Sequence, residues 1–156
     1  MAARQALAEA VTLENYVAMQ QNAGSTWEAI KPDILQMVAY GNSAESKVDI
    51  YLHEGMLKEA IETVNNAQWY SNINRVIDAV QDDYPEWVFQ QCRKRADSIM
   101  DGGISKQYDV AADWLRRGRQ ALINTGKSAE WATYYDTITT KHARKYKLMP
   151  MLKALR

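Results

Sequence analysis

The sequence predicts an all-α protein of eight or nine helices, arranged as antiparallel pairs that stack into a right-handed α-solenoid. Three observations predict it. Apolar residues recur at i, i+3, i+4 and i+7 in nearly every segment. No segment alternates apolar and polar residues between turn signals, as a half-buried strand does. The periodic segments are joined by short turns, too short for anything but antiparallel neighbours. With 7 Gly and 3 Pro in 156 residues, neither a turn-rich β fold nor disorder is favoured. The pairs differ in length, so the repeat is loose, and faces buried only against neighbouring pairs generate a curved stack.

The elements follow in order. Leu13, Tyr16, Val17 and Gln20 mark a first helix that stops at Asn22-Ala23-Gly24. Residues 1–24 are expected to form a loosely attached N-terminal helix of a single helical-repeat domain over 1–156. Ser25-Thr26-Trp27-Glu28 reads as a capping box ahead of the stripe Trp27, Ile30, Ile34, Met37 and Val38. Pro32 predicts a kink or break near Lys31, and Gly41-Asn42 a C-cap. Ala44, Val48, Tyr51 and Leu52 line one helix, and Leu57, Ala60, Ile61 and Val64 the next, with a turn at His53-Glu54-Gly55. Asn65-Asn66 ends that pair.

Ile73, Val76, Ile77 and Val80 mark another helix, and Pro85 opens the one after it at a first-turn position. Trp87, Val88, Cys92, Ala96 and Ile99 are its stripe, and Asp101-Gly102-Gly103 its end. Tyr108, Ala111, Ala112, Leu115 and Leu122 form one stripe of the following helix, and Val110, Trp114 and Ala121 a second. An arc that wide predicts cover on two sides. Gly118, in mid-helix where glycine costs about 1 kcal/mol relative to alanine, predicts close approach of a neighbour. Gly126 caps it. Trp131, Tyr134, Tyr135, Ile138 and His142 make the last long stripe, and Leu148, Leu152 and Leu155 a short final helix from about Lys147.

Composition bounds the function classes. A chain this long buries about 70% of the surface its unfolded form exposes, so it needs no staple. Cys92 is the only cysteine, which excludes an internal disulfide and a four-cysteine zinc site. No apolar run nears the roughly 18 residues that span a bilayer, and the start lacks an apolar signal core. A cytoplasmic protein without membrane contact is expected. The net charge is zero but unevenly spread. Residues 1–83 hold 5 Lys/Arg against 12 Asp/Glu, net −7, and residues 84–156 hold 14 against 7, net +7. Such asymmetry points to a charge-patterned partner, or to self-association of the acidic half of one copy with the basic half of another. The plainer reading is a set of solvated helix faces.

No frame for catalysis emerges, and no cofactor or metal is implied. Gly126-Lys127-Ser128 imitates the end of a phosphate-binding loop, but Ala121 stands where its first glycine belongs and a helix precedes it. It reads as a helix cap. His53-Glu54 begins a zinc-protease pattern, yet Leu57 occupies the second histidine's place and Gly55 breaks the helix. His142, on an apolar stripe, reads as a packed core histidine. Cys92 shares a face with Val88 and Ala96 and reads as a small buried hydrophobe, with Arg93 and Arg95 directed elsewhere around the helix. The basic groups carry more interest. Arg93, Lys94, Arg116, Arg117, Lys141, Arg144 and Lys145 are candidates for one interaction surface, attractive to phosphate backbones, with Tyr134, Tyr135 and Tyr146 as stacking faces. Against that, the tyrosines suit a core, and the cations suit pairing with Asp97, Asp109 and Asp113.

Two stretches add a family likeness. One runs Trp27-Glu28-Ala29-Ile30-Lys31-Pro32-Asp33-Ile34-Leu35, then Asp49-Ile50-Tyr51-Leu52-His53-Glu54-Gly55 and Glu59-Ala60-Ile61. The other comprises Tyr84-Pro85-Glu86-Trp87-Val88, Met100-Asp101-Gly102-Gly103, Tyr108-Asp109-Val110-Ala111-Ala112-Asp113-Trp114-Leu115, Glu130-Trp131 and His142-Ala143-Arg144-Lys145-Tyr146-Lys147-Leu148. Together, over about Ser25 to Leu155, they resemble the C-terminal helical region of bacterial SWIM zinc-finger proteins, whose repeats are similar to tetratricopeptide (TPR) arrays. The resemblance implies a TPR-like stack and the helical tail of a larger protein. The family's Cys-x-Cys…Cys-x-His zinc motif is not matched here, since one Cys and two His are too few, so no zinc-module contact carries over to any residue. The expected role is a non-catalytic scaffold module binding a protein or peptide partner. The alternative is an accessory nucleic-acid-binding domain using the basic half.

Overall fold

A computed structural model describes residues 12–41, 43–67 and 70–156. All regular structure among them is helical: α1 Leu13–Ala23, α2 Trp27–Gly41, α3 Ala44–His53, α4 Leu57–Asn66, α5 Ile73–Val80, α6 Pro85–Asp101, α7 Tyr108–Asn124, α8 Ser128–Lys141 and α9 Met149–Lys153, with 3-10 turns at Gly24–Thr26 and Ser105–Gln107. The expected cap at Asn42, and the part of the expected N-terminal helix before Thr12, lie outside the described residues. By its internal contacts the chain divides between Ala79 and Val80 into two compact units.

In the first unit, Thr12 caps α1 by accepting from the Asn15 amide, and Ser43 caps α3 by accepting from the Ser46 amide. The stripe residues Tyr16, Trp27, Ile34, Val38, Tyr51 and Ala60 meet in one core with Met19 and Ile50. Gly55, at φ 71°, turns α3 back along α4 as an antiparallel hairpin. Two local expectations are corrected. The capping box at Ser25–Glu28 is replaced by the Gly24–Thr26 3-10 turn, which runs straight into α2, and Thr26 Oγ1 donates to the Ala23 carbonyl at 2.7 Å. Of the kink or break expected near Lys31, the break does not occur. Pro32 sits inside α2 on its exposed side, where it forfeits one backbone bond without ending the helix.

The second unit is built on α6 and α7, the most extensive helix contact among the described residues. Pro85 opens α6 at its first turn, as expected. Gly118 lets the two backbones close. A Cβ added there would lie 3.2 Å from both Cys92 Cβ and Phe89 Cδ2. Across this seam Phe89, Ala96, Met100, Leu115 and Leu122 join Trp131, Tyr134 and Ile138 of α8 and Leu148, Leu152 and Leu155 around α9 in one core. Of the second stripe of α7, Ala121 is buried, Trp114 is half-buried and Val110 is exposed at the helix's first turn.

Candidate interaction groove

The seven candidate cations all lie in the second unit, and five of them, Arg93, Arg116, Arg117, Lys141 and Lys145, are engaged by neighbouring groups. On α6, Arg93 Nε donates to Asp97 Oδ2 at 3.3 Å, and its guanidinium stands 4.7 Å above the Tyr134 ring. Arg116 pairs with Asp113 on α7. Arg117 is half-buried and engaged. Lys141 Nζ reaches Asp101 at 2.8 Å, and Lys145 Nζ donates to the Met100 carbonyl. Those last two bring cations to the C-terminal end of α6, where the helix dipole favours them. They hold α8 and the segment after it against α6. Arg144 is exposed. Lys94 is exposed as well, and with Arg95, Ser98, Ile99 and Trp114 it walls a groove of about 410 Å³ between α6 and α7. Arg95 lies over the Trp114 indole at 5.3 Å.

The stacking tyrosines also separate. Tyr134 is 5% exposed, and its hydroxyl donates to Asp97 Oδ1 at 2.5 Å. Burial first, then the Asp97 carboxylate, drive its phenol far above the ordinary range. Tyr135 is half-buried, and only Tyr146, at 88% exposure, is free to stack.

The titratable core groups are held inert. Cys92 is buried, and burial pushes its thiol up to about 11. Arg117 and Arg95 lie close enough to oppose the shift, and desolvation outweighs both. His142 is 2% exposed, with Asp101 Oδ1 3.4 Å from Nε2, an ion-pair distance too poorly aligned for a hydrogen bond at either ring nitrogen. Burial, with Lys145 and Lys141 nearby, lowers its pKa against the pull of Asp101. In the first unit His53 is exposed and shares a 3.3 Å contact with Gln20. Glu54 accepts from Tyr16 Oη at 2.8 Å and pairs with Lys31 at 2.8 Å. Lys127, of the phosphate-loop lookalike, pairs with Glu86, and the next helix starts at Ser128, so that segment is a helix junction. Among the described residues no group of three or more His, Cys, Asp or Glu is disposed to hold a metal ion, and no helix is long and apolar enough to cross a membrane.

A second concavity in this unit is one that sequence reasoning missed. It is a groove of about 460 Å³ between α8 and α9. Trp131, Ala132, Tyr135, Asp136 and Thr139 form the α8 wall, and Met149, Lys153 and the following Arg156 form the other. Trp131 and Tyr135 rings meet at 5.8 Å, tilted by 40°, which fixes both. Asp136, Lys153 and Arg156 are exposed at the edges. The signal was present in the spacing. Met149, Lys153 and Arg156 recur at i, i+4 and i+7, one position round from the buried Leu148, Leu152 and Leu155. Likewise Tyr135 and Thr139 run beside the buried Tyr134 and Ile138. Comparison of the chain with protein-family models, with curated proteins and with solved structures found no match in any of the three.

Proposed function

We propose that the chain is a non-catalytic protein–protein interaction module, and that a short segment of its partner docks in the α8–α9 groove. One observation carries this reading: two mutually fixed aromatic rings, Trp131 and Tyr135, line an open concavity with a methionine opposite and charges only at its edges. Rigid aromatics in a partly desolvated pocket supply most of the energy at typical interfaces, and methionine adapts its shape to what it meets. A polar rim then selects the partner. The groups at hand offer contacts and orientation. The one thiol is protonated at neutral pH and faces the α6–α7 seam instead.

The helix hairpins α3–α4 and α6–α7 support the further reading of a TPR-like stack, the helical tail of a larger SWIM zinc-finger protein. A zinc-finger module in the upstream coding sequence is expected on that reading, and unrelated neighbouring sequence on both sides contradicts it. The docking reading is tested by photo-crosslinking in cells with benzoylphenylalanine at Thr139, and at exposed Lys58 as control. Discrete protein adducts from position 139 alone are expected. Equal adducts from both positions, or none, overturn the reading.

A nucleic-acid reading has its own observation, the Lys94–Arg95–Trp114 groove, which combines cations with an indole. Fluorescence anisotropy with short single-stranded DNA and RNA at about 50 mM salt, where phosphate contacts are strongest, decides it. Binding that weakens steeply with salt and is lost in Lys94→Glu supports it, and no binding ends it.

A further inference from the structure

We infer that the occupant of the α8–α9 groove is an amphipathic, acidic helix of a partner protein. This rests on the docking reading above and adds the chemistry of the partner.

The shape of the groove selects a helix. The α8 wall is helical, with Trp131, Tyr135 and Thr139 at i, i+4 spacing, and the short helix α9 with Arg156 just beyond it forms the other, so the space between them is the kind of furrow into which the ridge of a third helix fits. From Trp131 to Thr139 the α8 wall rises about 12 Å, a little over two helical turns. That length matches an i, i+3, i+4, i+7 set of apolar anchors on an incoming helix, the usual reading of helix-in-groove recognition. An extended strand has no edge to pair with here, because the backbone amides of α8 are consumed within the helix.

Charge selects the sign. Lys153 and Arg156 stand one turn apart along the edge of the groove, exposed and without an ion-pair partner among the described residues. A single carboxylate, Asp136, faces them across the furrow. The surrounding unit reinforces that field. Residues 80–156 hold 14 Lys/Arg against 9 Asp/Glu, net +5. Carboxylates flanking the apolar stripe of the incoming helix complete both cations, and the field speeds their encounter. A basic helix meets two uncompensated like charges and is rejected.

The test uses the full chain and a display library of helical peptides of about 15 residues, randomised on every surface position. Enriched peptides are then synthesised with a fluorescein label and titrated by anisotropy. We expect enrichment of leucine or an aromatic residue flanked by Glu or Asp. Affinity should fall roughly tenfold or more in Lys153→Glu/Arg156→Glu, a pair of rim reversals that acts on encounter and register. It should survive in Lys153→Arg/Arg156→Lys and weaken several-fold between about 50 and 300 mM salt as the charges are screened. Ala132→Tyr, on the exposed lip of the groove, should block binding while leaving the circular-dichroism spectrum unchanged. Peptides that bind and are blocked by Ala132→Tyr but show no acidic bias overturn the inference and leave the docking reading standing. Peptides indifferent to Ala132→Tyr, or no enriched peptide at all, overturn both.

Discussion

Replacing Gly118 by valine should destabilise the second unit by about 2–3 kcal/mol, and the contact geometry sets that figure. A methyl carbon at this position would lie 3.2 Å from Cys92 Cβ and from Phe89 Cδ2, with the Phe89 backbone at 3.7 Å. Ordinary carbon–carbon contacts sit at about 3.5–4.0 Å, so alanine requires the neighbours to give by a few tenths of an ångström. Alanine also gains about 1 kcal/mol of helix propensity over glycine. The two effects oppose each other, and Gly118→Ala should fall within about 1 kcal/mol of the parent. Valine adds two further methyl groups to a seam already closed. Overpacking of that kind costs about 1–3 kcal/mol, and valine surrenders most of the propensity gain. With a urea slope of about 2 kcal/mol/M, the midpoint should drop by roughly 1 M. Gly41→Val is the control. Gly41 ends α2 with no atom within 4 Å of a new Cβ, so its midpoint should barely move. Urea titration by far-ultraviolet circular dichroism reads both. Equal midpoints for Gly118→Val and Gly41→Val would refute the close approach of α6 and α7.

Other consequences follow from the polar groups. Tyr16→Phe deletes the hydroxyl that donates to Glu54 and leaves that carboxylate with Lys31 alone. A loss of about 1–2 kcal/mol is expected, and it should vanish when Glu54→Ala is already present. Burial pushes the Glu54 pKa up, but the Lys31 and Tyr16 hydrogen bonds outweigh it and hold it below the ordinary range. Its contribution is therefore complete above the usual carboxylate value and is lost as pH falls through the folded one. Thermal midpoints below about pH 4.5 should fall less steeply in Glu54→Gln than in the parent. Burial likewise lowers the His142 pKa. The unfolded chain takes up that proton first, so stability should decline as pH drops below about 6.5. His142→Gln should flatten the pH 7 to 5 limb, and an unchanged slope would show that other groups cause it. Cys92, raised to about 11, should resist a thiol reagent at pH 8 in the folded protein. Labelling should follow the urea transition, not precede it.

The all-α class was legible because the apolar period survives in nearly every helix. Val48, Val64, Val76, Ala96, Leu122 and Ile138 each sit on the stripe that the spacing assigned and are buried. Gly118 was legible for a different reason. A glycine that weakens its own helix must be answered by something outside it, and Phe89 and Cys92 are what answers. Phe89 and Met100 were passed over, although both are buried on α6. Met100 continues the row of Val88, Cys92 and Ala96 by one more i+4 step, and Phe89 lies on its flank, so a single i, i+4 row understates how wide a helix face α7 covers. The capping box failed because a four-residue motif cannot tell whether the preceding turn will itself become helical. The candidate site was the least legible part. Charge clusters in sequence give no sign of which cations are spent on neighbours. Lys141 and Lys145 go to the end of α6, and Arg93 and Arg116 go to Asp97 and Asp113. Lys153 and Arg156, in no basic cluster, were left to edge the aromatic groove.

The docking claim is tested most directly by nuclear magnetic resonance. The nitrogen-15 spectrum of the full chain is recorded while the highest-affinity acidic peptide from the helical library is added. Among the indole signals of the 5 Trp, that of Trp131 should shift most, together with backbone amides of Ala132, Tyr135 and Thr139. Largest shifts at Trp114 and its α6 neighbours, or a spectrum that saturating peptide leaves unmoved, would contradict it.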